Sequence, residues 1–313
     1  MRAFVVDEFG KPGSVREVPD PKPRADQVLV KVSAAGVNPS DWAIVSGVLA
    51  QYGMEHRFPL IPGGDLSGHV VEGPENVARG SGDEVFGAVG GMVFGEGSWA
   101  ELVAVGVDDV AVKPSSLDHV AASGVATAGL TALNALEGAG LGQGAVLLLV
   151  GATGGAGSYA TQLAALRGIH VIAVSRGENA PYARELGAAE TIDYTQGDLL
   201  DPVRASHLEG VDALIDLAND EQTVLELSEL VRKEGAVVSA RGAVNIEAVE
   251  RQGKRGVNAM RAPLTRLPEL GALLDDGRLK PPPTKTFPLE RAQEALEEVA
   301  NGHVRGKLAL TVA

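Results

Sequence analysis

The chain has 313 residues, 45% hydrophobic and 22% charged, enough apolar material for two cored domains and too much for a disordered chain. Its 27 basic and 41 acidic side chains leave a formal charge of −14, which argues against nucleic acid and anionic membrane as partners, since both need a basic surface. Cysteine is absent, which excludes disulfides, thiolate nucleophiles and Cys-ligated zinc. No apolar run reaches the roughly 18 residues of a membrane span. The opening MRAFVVDEFGKPG lacks a long apolar segment, so the expectation is a cytoplasmic protein with no signal peptide.

From Met1 to about Val112 the signals are those of short strands. Ala3 to Val6 is a strand, and Gln27 to Ser33 alternates, with Val28, Val30 and Val32 on one face. His69 to Glu72, Glu84 to Phe86 and Ser98 to Val105 follow, punctuated by Pro62-Gly63-Gly64, Gly80-Ser81-Gly82-Asp83 and the glycine-rich 87–97. Many short strands with Gly/Pro turns point to a compact barrel-like β domain. From about Ser116 the period becomes helical, with helices predicted over 120–127 and 129–137.

The stretch 145–176 reads strand, glycine turn, helix, strand: Val146 to Val150, a cluster spaced Ala152-x-Gly154-x-x-Gly157, a helix from near Gly155, then Val171 to Val174. That is one βαβ unit of the size a dinucleotide site requires. Without Cβ atoms the turn can approach a pyrophosphate, and the helix aims its free N–H groups at it. About 20 residues beyond the glycines, where an acid would hydrogen-bond the ribose of NAD, this chain has Ser175-Arg176. A hydroxyl and a guanidinium suit a 2′-phosphate, so the expected cofactor is NADPH.

The alternation continues through a helix over 181–186, strands over 191–194 and 211–217, an amphipathic helix over 221–233 and a strand over 236–239. Together these imply a doubly wound parallel sheet. Helices over 267–275 and 288–300 and a last strand over 307–312 close the chain. The strand Ala236 to Ser239 offers a candidate sheet edge for homodimer pairing.

These parts resemble the medium-chain dehydrogenase/reductase superfamily, in its zinc-free quinone oxidoreductase (zeta-crystallin-like) branch. The resemblance rests on AAGVNPSDW (34–42), PLIPGGDLSGHVVEG (59–73), GDEVF (82–86), GSWAELV (97–103), AGLTALNAL (128–136), GATGGAGS (151–158), ELGAAETIDY (185–194) and GHVRGKLALTV (302–312). It implies an α/β protein: a GroES-like β-barrel substrate domain from 1–122 and 263–313, and a Rossmann NADP-binding domain over 123–262. It also implies hydride transfer to a quinone or α,β-unsaturated carbonyl; a zinc-free enoyl-thioester reductase and a non-catalytic NADPH sensor are the alternatives. A short-chain dehydrogenase is disfavoured, because no tyrosine is followed four residues later by lysine.

The resemblance places Asn38 and Gly64 where the alcohol dehydrogenase branch keeps a zinc-ligating Cys and His. The six histidines show no HxxxH or HExxH spacing, so no catalytic metal is expected. Asn38 becomes the candidate donor to the substrate oxygen, or else a turn residue before Pro39. Tyr52 and Trp42 are expected at the substrate cleft, and Asp41 as a brace for the helix that follows. The family's aromatic and basic residues after Asn38 are replaced by Ala43 and Val45, implying a more apolar pocket that also suits a bulky or aliphatic enone. Cofactor contacts are implied for Thr127, Thr131, Gly154, Gly155, Ala156, Gly157, Ser158, Ser175, Arg176, Tyr194, Asn219, Ala240, Arg241, Gly242 and Lys307. Lys307 is almost as readable as a solvated strand-edge lysine.

Overall fold

The computed structural model describes residues 1–74, 81–90, 93–197 and 199–312. Gly80 of one predicted turn and Gly91 of the glycine-rich stretch lie outside the described residues. By its contacts the chain divides into two compact units, Met1–Thr127 with Pro263–Ala313, and Ala128–Ala262.

The first stretch carries β1 (Arg2–Val5), β2 (Ser14–Glu17), β3 (Gln27–Val37), α1 (Pro39–Val45), β4 (Glu55–Ile61), β5 (Asp65–Glu72), β6 (Glu84–Ala88), β7 (Val93–Glu96), β8 (Leu102–Gly106), β9 (Val110–Val112) and α2 (His119–Ser123). The middle stretch begins with α3 (Ala126–Ala139), β10 (Val146–Val150), α4 (Gly155–Leu166), β11 (His170–Ser175), α5 (Ala180–Glu185) and β12 (Glu190–Asp193). It continues through α6 (Leu200–Ser206), β13 (Val211–Asp216), α7 (Glu221–Leu227), β14 (Val231–Ser239), α8 (Ile246–Arg251) and β15 (Arg255–Asn258). Then come α9 (Leu267–Asp275), β16 (Thr284–Pro288), α10 (Ala292–Asn301) and β17 (Lys307–Thr311).

In the first unit a seven-stranded sheet runs β16-β17-β3-β5-β6-β9, with β8 also paired to β3. The last strand returns to the first unit: β17 lies antiparallel to β3, Leu308 opposite Val37. The predicted alternation on β3 holds, for Val28, Val30 and Val32 are fully buried and Lys31 is exposed. These valines join Phe4, Leu66, Trp99 and Leu310 in one apolar cluster that absorbs the inner faces of the strands.

The second unit is the doubly wound sheet the sequence predicts, all parallel in the order β12-β11-β10-β13-β14-β15. The central β10 reads VLLLV because both its faces are covered; Leu147, Leu148 and Leu149 have no exposed surface. Gly151 (φ 79°) makes the turn out of β10. At Gly157 a Cβ would overlap the Gly151 carbonyl, so the glycine sets how closely α4 approaches the turn.

Several predicted boundaries are corrected. The break between α2 and α3 falls at Gly124 and Val125, not after Thr127: Asp118 caps α2 by accepting the Ala121 N–H at 2.8 Å, and Gly124 ends it. The helix predicted over 221–233 stops at Leu227, passes through a 3₁₀ turn (Ser228–Leu230), and Val231 already pairs with Val211 in the sheet. Parallel pairing and the left-handed Glu234 (φ 64°) win over the local helical period. The helix predicted from Pro288 begins as a 3₁₀ turn (Leu289–Arg291) and becomes α only at Ala292. The strand holding Ala236 to Ser239 is hydrogen-bonded on both sides, to β13 and β15, so it offers no free edge; β15 is the outer strand there.

Candidate functional site

In the first unit, Pro39 occupies the first turn of α1, where its missing N–H costs nothing. Asp41, two residues on, reaches back to brace that turn. Its Oδ2 accepts the Asn38 N–H at 2.7 Å and its Oδ1 the Gly64 N–H at 3.2 Å. Asn38 thus enters the helix with its side chain fixed, 4% exposed. Its Nδ2 donates to Asp65 Oδ2 at 3.0 Å, and its Oδ1 accepts from Lys307 Nζ at 2.6 Å.

Asp65, at the start of β5, is the hub of this network. It has no exposed surface, and its Oδ1 accepts both the N–H and the hydroxyl of Thr127, at 3.0 and 2.6 Å. Room for it depends on Gly36, where a Cβ would overlap the Ser123 carbonyl and crowd the Asp65 side chain. Lys307 opens β17, and the β17–β3 pairing brings its Nζ to the Val37 carbonyl at 3.2 Å and to within 3.7 Å of Asp65 Oδ2. At 4% exposure it is not a solvated edge lysine.

Burial pushes the Asp41 carboxyl up to about 7, against the hydrogen bond from the Asn38 amide. Burial also pulls the Lys307 ammonium below its ordinary value, opposed by the nearby Asp65 and Asp41 carboxylates. Such displaced titrations cluster where a site handles charge. Beside Gly64, a cavity of about 50 Å³ is lined by apolar groups that include Ile44, Ile61, Val89 and Phe94.

In the second unit the predicted cofactor residues gather at the C-terminal edge of the sheet, where an open α/β sheet binds ligands. Gly154 caps α4 without a side-chain bond, and the amides of Gly155, Ala156 and Gly157 have no acceptor among the described residues. Three amides at the positive end of a twelve-residue helix fit a diphosphate. Ser158, the next residue, is fully buried and accepts from the Tyr182 hydroxyl at 3.1 Å. Ser175 ends β11 and is 5% exposed, its hydroxyl donating to the Arg176 carbonyl. The Arg176 Nε donates to the Tyr194 hydroxyl at 3.2 Å, joining residues 18 apart in sequence at the ends of neighbouring strands. Asn219 is held beyond β13 by Asp216, through its backbone N–H at 2.8 Å and its Nδ2 at 2.8 Å. Ala240, Arg241 and Gly242 form the turn beyond β14, with Arg241 N–H donating to Ser239 Oγ at 3.1 Å. Thr131 lies on α3, half-buried.

Of the residues selected in the first unit, Asn38, Thr127 and Lys307 come together, and Tyr52 does not join them. Tyr52 ends a 3₁₀ turn at 78% exposure. Val45, expected to make a pocket more apolar, is 4% exposed and belongs to the hydrophobic core; its side chain serves packing. Two buried acids escaped the sequence reading, Asp65 and Asp216, both at 0% exposure. Each was detectable as a carboxylate inside an otherwise apolar strand segment (GGDLSG, LIDLAN), where burial demands partners.

The family model described as alcohol dehydrogenase GroES-like domain matches residues 24–115, and that described as zinc-binding dehydrogenase matches residues 186–310. Similar curated proteins include the chloroplast envelope quinone oxidoreductase homolog of Arabidopsis thaliana, 30% identical over 93% of this chain and 92% of its own length. The mitochondrial NAD(P)H oxidoreductase RTN4IP1 of Mus musculus is 29% identical over 100% of this chain and 89% of its length. Among solved structures, the quinone oxidoreductase from Coxiella burnetii superposes with a TM-score of 0.90 at 31% identity, covering 100% of this chain and 99% of its own. The GroES-like and Rossmann units and these likenesses make the chain a member of the medium-chain dehydrogenase/reductase superfamily of nicotinamide-dependent oxidoreductases, with quinone oxidoreductases among its relatives.

Proposed function

We propose that this protein is an NADPH-dependent oxidoreductase that passes a hydride to a quinone or an α,β-unsaturated carbonyl without catalytic zinc, and that it works as a homodimer. The observation that carries the cofactor choice is Arg176 at the end of β11, oriented by Tyr194 and pairing with no carboxylate among the described residues. A guanidinium there meets a 2′-phosphate with charge-assisted hydrogen bonds, and its five donors leave enough after the one given to Tyr194. The acceptor class comes from relatives named as quinone oxidoreductases.

When bound, the nicotinamide supplies the hydride. The chain's own residues position and polarise. The amides of Gly155, Ala156 and Gly157 hold the diphosphate, and Arg176 with Ser175 selects the phosphorylated ribose. Zinc independence is supported by the groups at Asn38: an amide with a lysine ammonium at 2.6 Å, a glycine at position 64, and the Asp65 and Asp41 carboxylates already engaged by Asn38, Thr127 and Gly64 donors make a poor cage for a cation. Asn38 keeps a second Nδ2–H beyond the one given to Asp65, and this hydrogen is the donor to the substrate oxygen. Lys307 and Asp65 hold the Asn38 amide in one orientation, so no reorganisation is needed as charge develops on that oxygen. Solvent supplies the proton.

Titrating wild type and Arg176→Asp with NADPH and NADH tests the cofactor assignment. The variant is expected to lose at least about tenfold more affinity for NADPH than for NADH, the worth of one charge-assisted contact. Equal losses for the two cofactors refute it.

A further inference from the structure

Among the described residues, two clusters gather histidine with a carboxylate. In the first unit, His69, Glu84 and His119 meet, but Lys113 Nζ lies 3.3 Å from Glu84 Oε2 and the His119 Nδ1 is engaged by Ser67 Oγ at 2.8 Å. That carboxylate already has its cation. The second cluster, in the Rossmann unit, has none.

His170 is the first residue of β11, Glu190 the first of β12, and His207 follows α6 directly. His170 Nε2 lies 2.6 Å from Glu190 Oε1, and His207 Nε2 lies 3.2 and 3.4 Å from the two carboxylate oxygens. Glu190 pairs with no lysine or arginine among the described residues. The three ligand atoms lie within 4.8 Å of one another, and all three side chains are half-buried.

We propose that His170, Glu190 and His207 form a binding site for one divalent transition metal of the zinc type. Two imidazole nitrogens and one carboxylate are a frequent donor set for zinc, with bonds of about 2.0–2.2 Å. Tetrahedral coordination at that length sets ligand atoms roughly 3.3 Å apart, close to the 2.6 and 3.2 Å that separate the two imidazole nitrogens from Glu190 Oε1. The partial exposure leaves the fourth position to water. Imidazole donors select zinc, cobalt, nickel or copper over magnesium and calcium, which prefer oxygen.

The frame is built before the metal arrives. The His170 N–H donates to the Ala145 carbonyl at 2.8 Å, the His207 N–H to Val203 at 2.8 Å, and Glu190 sits in register with Ile172 on the neighbouring strand. The site lies at the N-terminal ends of β11 and β12. Ser175, at the other end of β11, is five residues away, about 16 Å at the usual strand rise. The ion therefore plays no part in hydride chemistry. It ties the short edge strand β12 to β11 and to the end of α6, and stabilises the fold by binding the folded state alone.

The test uses tag-free, chelator-stripped full-length protein titrated with zinc chloride, with metal quantified after equilibrium dialysis and melting followed with and without zinc. The expected result is one zinc per chain and a raised melting temperature, unchanged in His119→Ala. His207→Ala and Glu190→Gln should each weaken binding by at least about tenfold and lose the thermal shift. Circular dichroism reports whether each variant folds; should His207→Ala fail to fold, the isosteric Glu190→Gln carries the comparison. Magnesium chloride should leave the melt unchanged. No zinc binding, wild-type binding in both variants, or loss of zinc in His119→Ala overturns the proposal.

Discussion

Lys307 shows what one residue costs and secures. It takes an ammonium out of water and places it against Asn38 Oδ1, the Val37 carbonyl and Asp65, all in the buried interior of the first unit. Replacing it by Met leaves a fully buried carboxylate without its cation, a loss of about 3–5 kcal/mol. Urea unfolding of Lys307→Met checks this, and an unchanged midpoint contradicts it. Asp41 gives a pH signature. In the fold it keeps its proton up to about 7, against the ordinary carboxyl value of 3.8 when unfolded. Between those values the folded state binds more protons than the unfolded one, so this group makes stability fall as pH rises, and the loss is complete above about 7. Asp41→Asn removes that slope, worth at most about 1.4 kcal/mol per pH unit. Unfolding midpoints at roughly pH 5, 6 and 7 should decline less in the variant than in wild type; parallel profiles contradict the assignment.

At the scale of elements, the βαβ unit β10–α4–β11 was legible because three signals agree there: two apolar runs, a glycine turn and a helical period. Gly157 binds them, and Gly157→Ala should push α4 off the turn, lowering stability by a few kcal/mol and weakening NADPH binding. A wild-type cofactor affinity in that variant would mean the close approach is dispensable. Where local period and tertiary pairing disagree, the sequence misleads. The stretch 221–233 has a helical rhythm, yet Val231 is drawn into the sheet opposite Val211. The short strands β2, β4, β7, β9, β15 and β16 and the helices α6 and α8 went unread because each is three to seven residues long and is defined by its neighbours.

For the whole molecule, the GroES-like and Rossmann organisation could be read because motif order along the chain constrains both units together. The site in the first unit was only half legible. Asn38 and Lys307 are 269 residues apart, and only the β17–β3 pairing brings them into contact. Asp65 opens β5 four residues before the strand predicted over His69 to Glu72, and its partners Asn38, Thr127 and Lys307 meet it only in the fold. The His170–Glu190–His207 cluster has no spacing signature, since its members come from three elements. The proposed dimer predicts twice the monomer mass in size-exclusion chromatography with light scattering, and a monomer refutes it. The most direct measurement of the central claim is NADPH consumption by purified wild type and Asn38→Ala over a panel of quinones, enones and enoyl thioesters. The account predicts turnover on a quinone or enone, and a kcat reduced about 100-fold in Asn38→Ala with NADPH affinity retained, the cost of one donor to a developing oxyanion. NADPH binding with no turnover on any acceptor, or an unaltered kcat in the variant, would contradict it.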